Sequence, residues 1–209
     1  MEKLKKKLIE IGKRLREKGL SPGLSGNISI RYGRYFLITP SGLALDDFSE
    51  EDIILVDENY QVIEGKKKPS SEAKLHLEIY KLRADIGAII HCHAPKSSAF
   101  AVADIPLSQP VLAENVFHLG EIPVARYYMP SSIEVAKETA KHFDSHDVVL
   151  MKNHGVVVAG QTIEEAYYKM ETVEYTAEVI LNAKILGNIT ELTPNEVQEV
   201  KNLKASLVK

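Results

Sequence analysis

Sulfur is scarce in this chain: one cysteine, Cys92, among 209 residues excludes an internal disulfide framework, so rigidity has to come from packing, a metal or subunit contacts. Neither sign of charge dominates. Lysine and arginine number 26 against 29 acidic residues, a formal net charge of −3, and no global basic field exists to draw in nucleic acid or an anionic membrane. No long apolar run is present either. The start is Lys/Glu-rich and reads as a helix rather than a secretory signal, and nothing is long and apolar enough to span a bilayer. The expectation is a cytoplasmic protein with a small-molecule partner. Repeats and low-complexity linkers are also missing, and the length suits one domain over residues 1–209 with a continuous apolar core.

What is present reads as alternating strands and helices. Leu4, Leu8, Ile11 and Leu15 recur at steps of three and four, which predicts an amphipathic helix over 2–18 stopped by Gly19. Short alternating stretches at 28–31 and 35–38 predict a hairpin turned at Gly33, and 53–56 and 60–63 predict two more strands around Asp57-Glu58-Asn59. A helix capped by Ser70 or Ser71 follows, with Leu75, Ile79 and Leu82 on one face, then a buried strand over 87–91. Further helices are expected at 97–102, 133–143 and 163–186, and further strands at 124–126, 148–151 and 156–159. The tail after Pro194 is a charged helix or frays. Short reversals argue against a purely parallel sheet, so the expected fold is a three-layer α/β/α domain whose central sheet is largely antiparallel or mixed, with helices on both faces.

The chemistry is concentrated in a few motifs. His91-Cys92-His93 ends an apolar strand, and residues i and i+2 of a strand face the same side, so two imidazoles can point in one direction. Asn153-His154-Gly155 lies at the end of another strand. Three histidines leave an open position on a zinc-like ion for substrate or water. The alternative is a set of unrelated packing histidines. Cys92 points the other way and reads as a buried apolar residue; His76, His118, His142 and His146 have no comparable spacing. Pro69-Ser70-Ser71-Glu72 at a helix start is either an ordinary capping sequence or a phosphate site built on free N–H groups. The small-residue loops Gly23-Leu24-Ser25-Gly26-Asn27 and Thr39-Pro40-Ser41-Gly42 are either plain turns or further N–H cradles for an anion.

Taken in order, Ser25–Asn27, Thr39–Gly42, Ser70–Glu72, His91–Ala94 and Asn153–Gly155 resemble the class II aldolase and adducin-like family, over nearly the whole chain from Gly23 to about Leu186. That family includes aldolases of fuculose and rhamnulose phosphates and a ribulose-phosphate 4-epimerase, and the resemblance is nearest to its fuculose-phosphate aldolases. It implies that His91, His93 and His154 bind zinc, one divalent metal per subunit with other divalent ions possible, and that Glu72 joins them when substrate is away. It also implies that Glu72 is the acid/base and that Gly26, Asn27, Ser41, Gly42, Ser70 and Ser71 hold a sugar phosphate. The implied reaction is reversible retro-aldol cleavage of a ketose 1-phosphate to dihydroxyacetone phosphate and a small aldehyde such as lactaldehyde.

Other activities of the family set alternatives. Glu72 in place of the shorter Asp favours an aldolase over a pentulose-phosphate 4-epimerase, while a dehydratase of the methylthioribulose-phosphate type would look to Glu114 for an acid. An adducin-like scaffold without metal is disfavoured by the three histidines. The aldehyde end departs from the fuculose-type pattern: Pro110 stands where a tyrosine is expected, Leu24 where Thr is, and Pro130 where an aromatic wall residue is, and the tail lacks the expected tyrosine. His118, Tyr127 and Tyr128 are candidates for the missing proton donor. The resemblance further suggests a homotetramer arranged as a ring of four, and the apolar stretch 105–119 reads as a loop packed on a neighbour.

Overall fold

The computed structural model describes residues 1–207. One mixed sheet of eight strands runs through it in the order β4-β3-β2-β1-β5-β8-β7-β6. The strands are β1 (Asn27–Tyr32), β2 (Tyr35–Ile38), β3 (Ile54–Val56), β4 (Val62–Glu64), β5 (Ala88–Cys92), β6 (Val124–Ala125), β7 (Val148–Met151) and β8 (Gly155–Gly160). Every neighbouring pair is antiparallel except β6 and β7, which run parallel. The helices are α1 (Glu2–Glu17), α2 (Ala73–Leu82), α3 (Pro95–Ala103), α4 (Ala113–His118), α5 (Ile133–Ala140), α6 (Ile163–Leu186) and α7 (Pro194–Leu207). No helix among the described residues is long and apolar enough to cross a membrane.

Strand alternation sorts the side chains into two cores. Ala88, Ile90 and Cys92 of β5 face a layer with Leu8, Ile11 and Leu15 of α1, Phe100 of α3 and Met170 of α6. Ile89 faces the opposite layer, with Leu75, Ile79 and Tyr80 of α2 and Val135 and Ala136 of α5. The helices therefore cover both faces, and His91, in phase with Ile89, belongs to the α2 face. Central strands β5 and β8 are buried along their whole length, which is why they read as continuous apolar runs rather than alternating ones.

Two expectations are corrected. The stretch 105–119 is not a bare loop: it pairs Leu107 with Ile122 and then forms α4, burying Leu107, Val116 and Leu119 in the chain's own core, where Val111 also packs. The helix after Pro69 is not capped by Ser70 or Ser71. It begins at Ala73 with Glu72 as its capping residue, because a backbone bridge between Pro40 and Pro69 draws Ser70 to the sheet, where its N–H donates to Thr39 at 3.0 Å.

Candidate active site

The register of three central strands assembles the site. Asn27 of β1 stands opposite His91 of β5, and His91 stands opposite Val157 of β8, so all three share one level of the sheet. His91 is fully buried and its Nδ1–H donates to the Val156 carbonyl at 3.0 Å. A carbonyl only accepts, so this bond fixes the tautomer and leaves Nε2 free to bind a cation. His93 follows the strand's last residue, and His154 sits in the turn from β7 to β8. The turn is tightened by Asn153 in a left-handed conformation, φ 56°, which asparagine tolerates better than most residues. Gly155 has no alternative: a Cβ there would lie 2.4 Å from the Cys92 carbonyl oxygen and 3.0 Å from the His93 ring.

The ligating atoms of His91, His93 and His154 all lie within 4.8 Å of one another. His91 Nε2 is 3.1 Å from His93 Nε2 and 3.0 Å from Glu72 Oε2, while His154 Nε2 is 3.4 Å from Glu72 Oε1. A tetrahedral zinc ion about 2.0–2.1 Å from each donor sets donor–donor edges of roughly 3.3 Å. Glu72 Oε1, buried, has no hydrogen-bond donor among the described residues, which is what a carboxylate oxygen facing a cation looks like. The donor set fits a divalent metal.

The electrostatics agree. Burial works to raise the Glu72 pKa, but the charge and hydrogen bond of His91, then His154 and the Asn27 amide, hold its carboxyl well below the usual carboxylate range. Burial, with the charge of His91, pushes His93 and His154 down to about 4, so both present lone pairs at neutral pH. Burial also works to lower His91, but Glu72 outweighs it and raises the pKa: a positive charge is favoured where Nε2 meets the carboxylate. Cys92, on the other face of the sheet, is held as a neutral thiol by burial.

Next to these groups opens a cleft of about 200 Å³, lined by Glu72, His93 and His154. Ser25, Gly26, Asn27, Ser41, Gly42, Ser70 and Ser71 line the rest, together with Leu24, Pro40, Leu43, Pro130 and Ser131. The Pro40–Pro69 bridge is what joins the two distant small-residue loops, since it places Ser41-Gly42 beside Ser70-Ser71. Gly26, at φ 85°, lets the first loop approach: a Cβ would meet Ser21 Oγ at 2.5 Å and the His91 carbonyl oxygen at 3.0 Å. Serines, glycines and Asn27, and no lysine or arginine among the described residues, line the cleft beside the histidines and Glu72.

All the site residues expected from the sequence border this cleft except His91, which lies beneath it. Asn27 has a second engagement: its amide donates to Glu72 Oε2 at 3.3 Å. Glu114, His118, Tyr127 and Tyr128 do not line the cleft formed by this chain. Ser131 and Leu43 do, and sequence reasoning passed over them. The signal for Ser131 was faint, a serine pair after a proline; its positive φ of 66° emerges only in three dimensions.

Residues 6–181 match the model of the family described as class II aldolase and adducin N-terminal domain. The chain is 38% identical to the L-fuculose phosphate aldolase of Methanocaldococcus jannaschii over 85% of its own length and 95% of that protein. It is 34% identical to the 5-methylthioribulose-1-phosphate/5-deoxyribulose-1-phosphate aldolase of Escherichia coli, over 86% of this chain and 84% of that one. A solved L-fuculose 1-phosphate aldolase superposes with a TM-score of 0.91 at 33% identity, covering 96% of this chain and 95% of its own. The chain belongs to the class II aldolase and adducin family. Within it, the chain stands with the enzymes, as a lyase of the aldolase kind with a candidate three-histidine metal site.

Proposed function

We propose that the chain catalyses the reversible retro-aldol cleavage of a ketose 1-phosphate, L-fuculose 1-phosphate or a related deoxyketose, to dihydroxyacetone phosphate and a small aldehyde such as lactaldehyde. Zinc is the resident ion in this reading, held by His91, His93 and His154, with Glu72 as a further ligand before substrate arrives. One observation carries the proposal: a single cleft lined both by cation-binding groups and by neutral residues able to donate to an anion. A sugar phosphate needs both. Gly26, Asn27, Ser41, Gly42, Ser70 and Ser71 hold the phosphate, fixing the far end so that the reacting carbons meet the histidines.

The divalent ion supplies Lewis acidity toward the ketose carbonyl and its neighbouring hydroxyl. In the condensation direction Glu72, ionised at neutral pH and buried, would take the proton from C3 while the new C4 oxygen gains one from solvent or an aldehyde-side donor. In cleavage the C4 hydroxyl would give its proton up by that same route, and the protonated Glu72 would deliver its own to C3. Asn27 keeps the carboxylate turned toward the histidines through its amide hydrogen bond. The test is a panel of ketose 1-phosphates that includes the L-fuculose, 5-deoxyribulose and methylthioribulose compounds, with dihydroxyacetone phosphate read by a coupled dehydrogenase. Zinc-loaded protein that releases none of it from any member overturns the reading.

The whole of residues 1–209 acts as one domain in this proposal, and the working form is a homotetramer, a ring with sites at subunit boundaries. Support comes from the lining of the cleft, which among the described residues includes no tyrosine and no histidine besides His93 and His154 to serve the aldehyde side. The phosphorylated substrate implies a cytoplasmic setting. Val111 packs on the chain's own core, so Phe117, half-buried on α4, is the better probe. Phe117→Asp is expected to lower the mass seen by light scattering and the activity per chain together. A fully active monomer refutes the ring.

A further inference from the structure

The strand ladder that fixes His91 does not reach its two partners. Pairing of β5 with β8 ends at Cys92 opposite Val156, so His93 and His154 both stand beyond the last hydrogen-bonded rung. What spans the gap between them is α3. Its N-terminus follows His93 by two residues, and its other end meets the His154 turn: the Ala101 carbonyl accepts from Asn153 N–H at 3.3 Å, and Asp104 pairs with Lys152 at 2.5 Å.

The N-terminal end of α3 has no local cap. Ala94 offers no side-chain acceptor, and Pro95 occupies the first helical position. Glu174, from the middle of α6 and itself buried, takes that place: its Oε1 accepts from Lys96 N–H at 2.8 Å, and its Oε2 accepts from Ser97 N–H and from the Ser97 hydroxyl, each at 2.9 Å. Ser97 is fully buried. One carboxylate thus satisfies three donors at a helix start, the arrangement in which a negative charge is most favoured.

We infer that Glu174 is a positioning residue for the metal site: by clamping the start of α3 it makes that helix a strut that holds His93 and His154 at their coordinating distance. This rests on the proposed metal site. Glutamine in its place keeps the shape but turns one NH₂ toward a backbone N–H, donor against donor, so the clamp opens by at least one bond.

The test compares wild type, Glu174→Gln and Ser97→Ala by zinc affinity against a chromophoric chelator, by the d–d bands of the Co2+-substituted protein, and by the Tm of the metal-free form. Wild type is expected to bind one zinc per chain; failure there would remove the metal site itself and would be visible before any variant is compared. Glu174→Gln is expected to lower zinc affinity on the order of 10-fold, the lower end of the range for outer partners of metal ligands, and to shift the cobalt bands. Inorganic phosphate binding to the metal-free variant is expected to be unchanged, because the phosphate loops sit on other elements. If Glu174→Gln does not fold, Ser97→Ala, which removes one of the three donors, is read by the same bands. A lowered Tm with wild-type zinc affinity and an unchanged cobalt spectrum would make Glu174 a fold-stabilising residue only and overturn the inference.

Discussion

His76 offers a quantitative test of how the layer beneath the site is built. It lies on α2 one turn after Glu72, fully buried, with Nδ1 2.7 Å from Ser29 Oγ, which in turn is 2.9 Å from the Tyr80 hydroxyl. Burial, with the charge of His91 adding and Glu72 opposing, pulls its pKa from 6.5 down to about 3. The native ring therefore refuses a proton that the unfolded chain accepts below pH 6.5, and stability falls as pH drops through the window from 6.5 to 3. Each pH unit in that window costs about 1.4 kcal/mol, so going from pH 7 to pH 5 removes about 2 kcal/mol through this residue alone. His76→Asn keeps a polar atom near Ser29 but cannot titrate. The variant is expected to be less stable at both pH values, yet to lose about 2 kcal/mol less than wild type between them. Urea unfolding of both proteins, metal-free and at one fixed concentration, gives the double difference, in which the cavity cost and the titration of Glu72 and His91 cancel. Equal pH losses in the two proteins would refute a neutral buried His76.

Three other outcomes follow from the site. Glu72→Gln is expected to fold and to retain zinc on the three histidines while turnover of the best ketose phosphate drops on the order of 10²-fold or more; near-normal turnover would remove the acid/base role. Gly155→Ala forces a Cβ to within 2.4 Å of the Cys92 carbonyl oxygen, so a stability loss of about 1–3 kcal/mol is expected in denaturant titrations together with weakened zinc binding, and wild-type behaviour in both would contradict the packing. Because no lysine or arginine among the described residues lines the cleft, inhibition by inorganic phosphate should respond weakly to added sodium chloride, and a steep fall in affinity with salt would point to cations brought by another subunit.

Most of the architecture could be read from local pattern because local pattern caused it. The helix α6 runs from Ile163 to Leu186 as its periodicity indicates, with the Thr162 hydroxyl accepting from Glu165 N–H at its start. The turn at Gly33, φ 60°, joins β1 and β2 where the alternating stretches break. What pattern could not give was the effect of distant contacts. Ser70 looks like a helix cap, but the bridge from Pro69 to Pro40 claims its backbone for the sheet, so the helix starts two residues later than the serines suggest. The segment 105–119 shows no helical period because α4 is only six residues long and touches both α6 and α7, which leaves no single apolar stripe to detect.

The site divides along the same line. The spacing of His91 and His93 announces that they can face one way, since residues two apart in extended chain share a side, although His93 itself stands just past the end of β5. That His154 joins them depends on β8 pairing with β5 in one register: a slip of one residue would turn His91 to the opposite face of the sheet, away from Glu72 and α2. The register is fixed by apolar burial on both sides, with Ile90 and Val158 packed toward α6 and Ile89 and Val157 toward α2. The chemistry of the cleft is thus held in place by residues that carry none of it. Single-sequence reading finds the motifs, but the packing that makes them one site is a property of the folded chain.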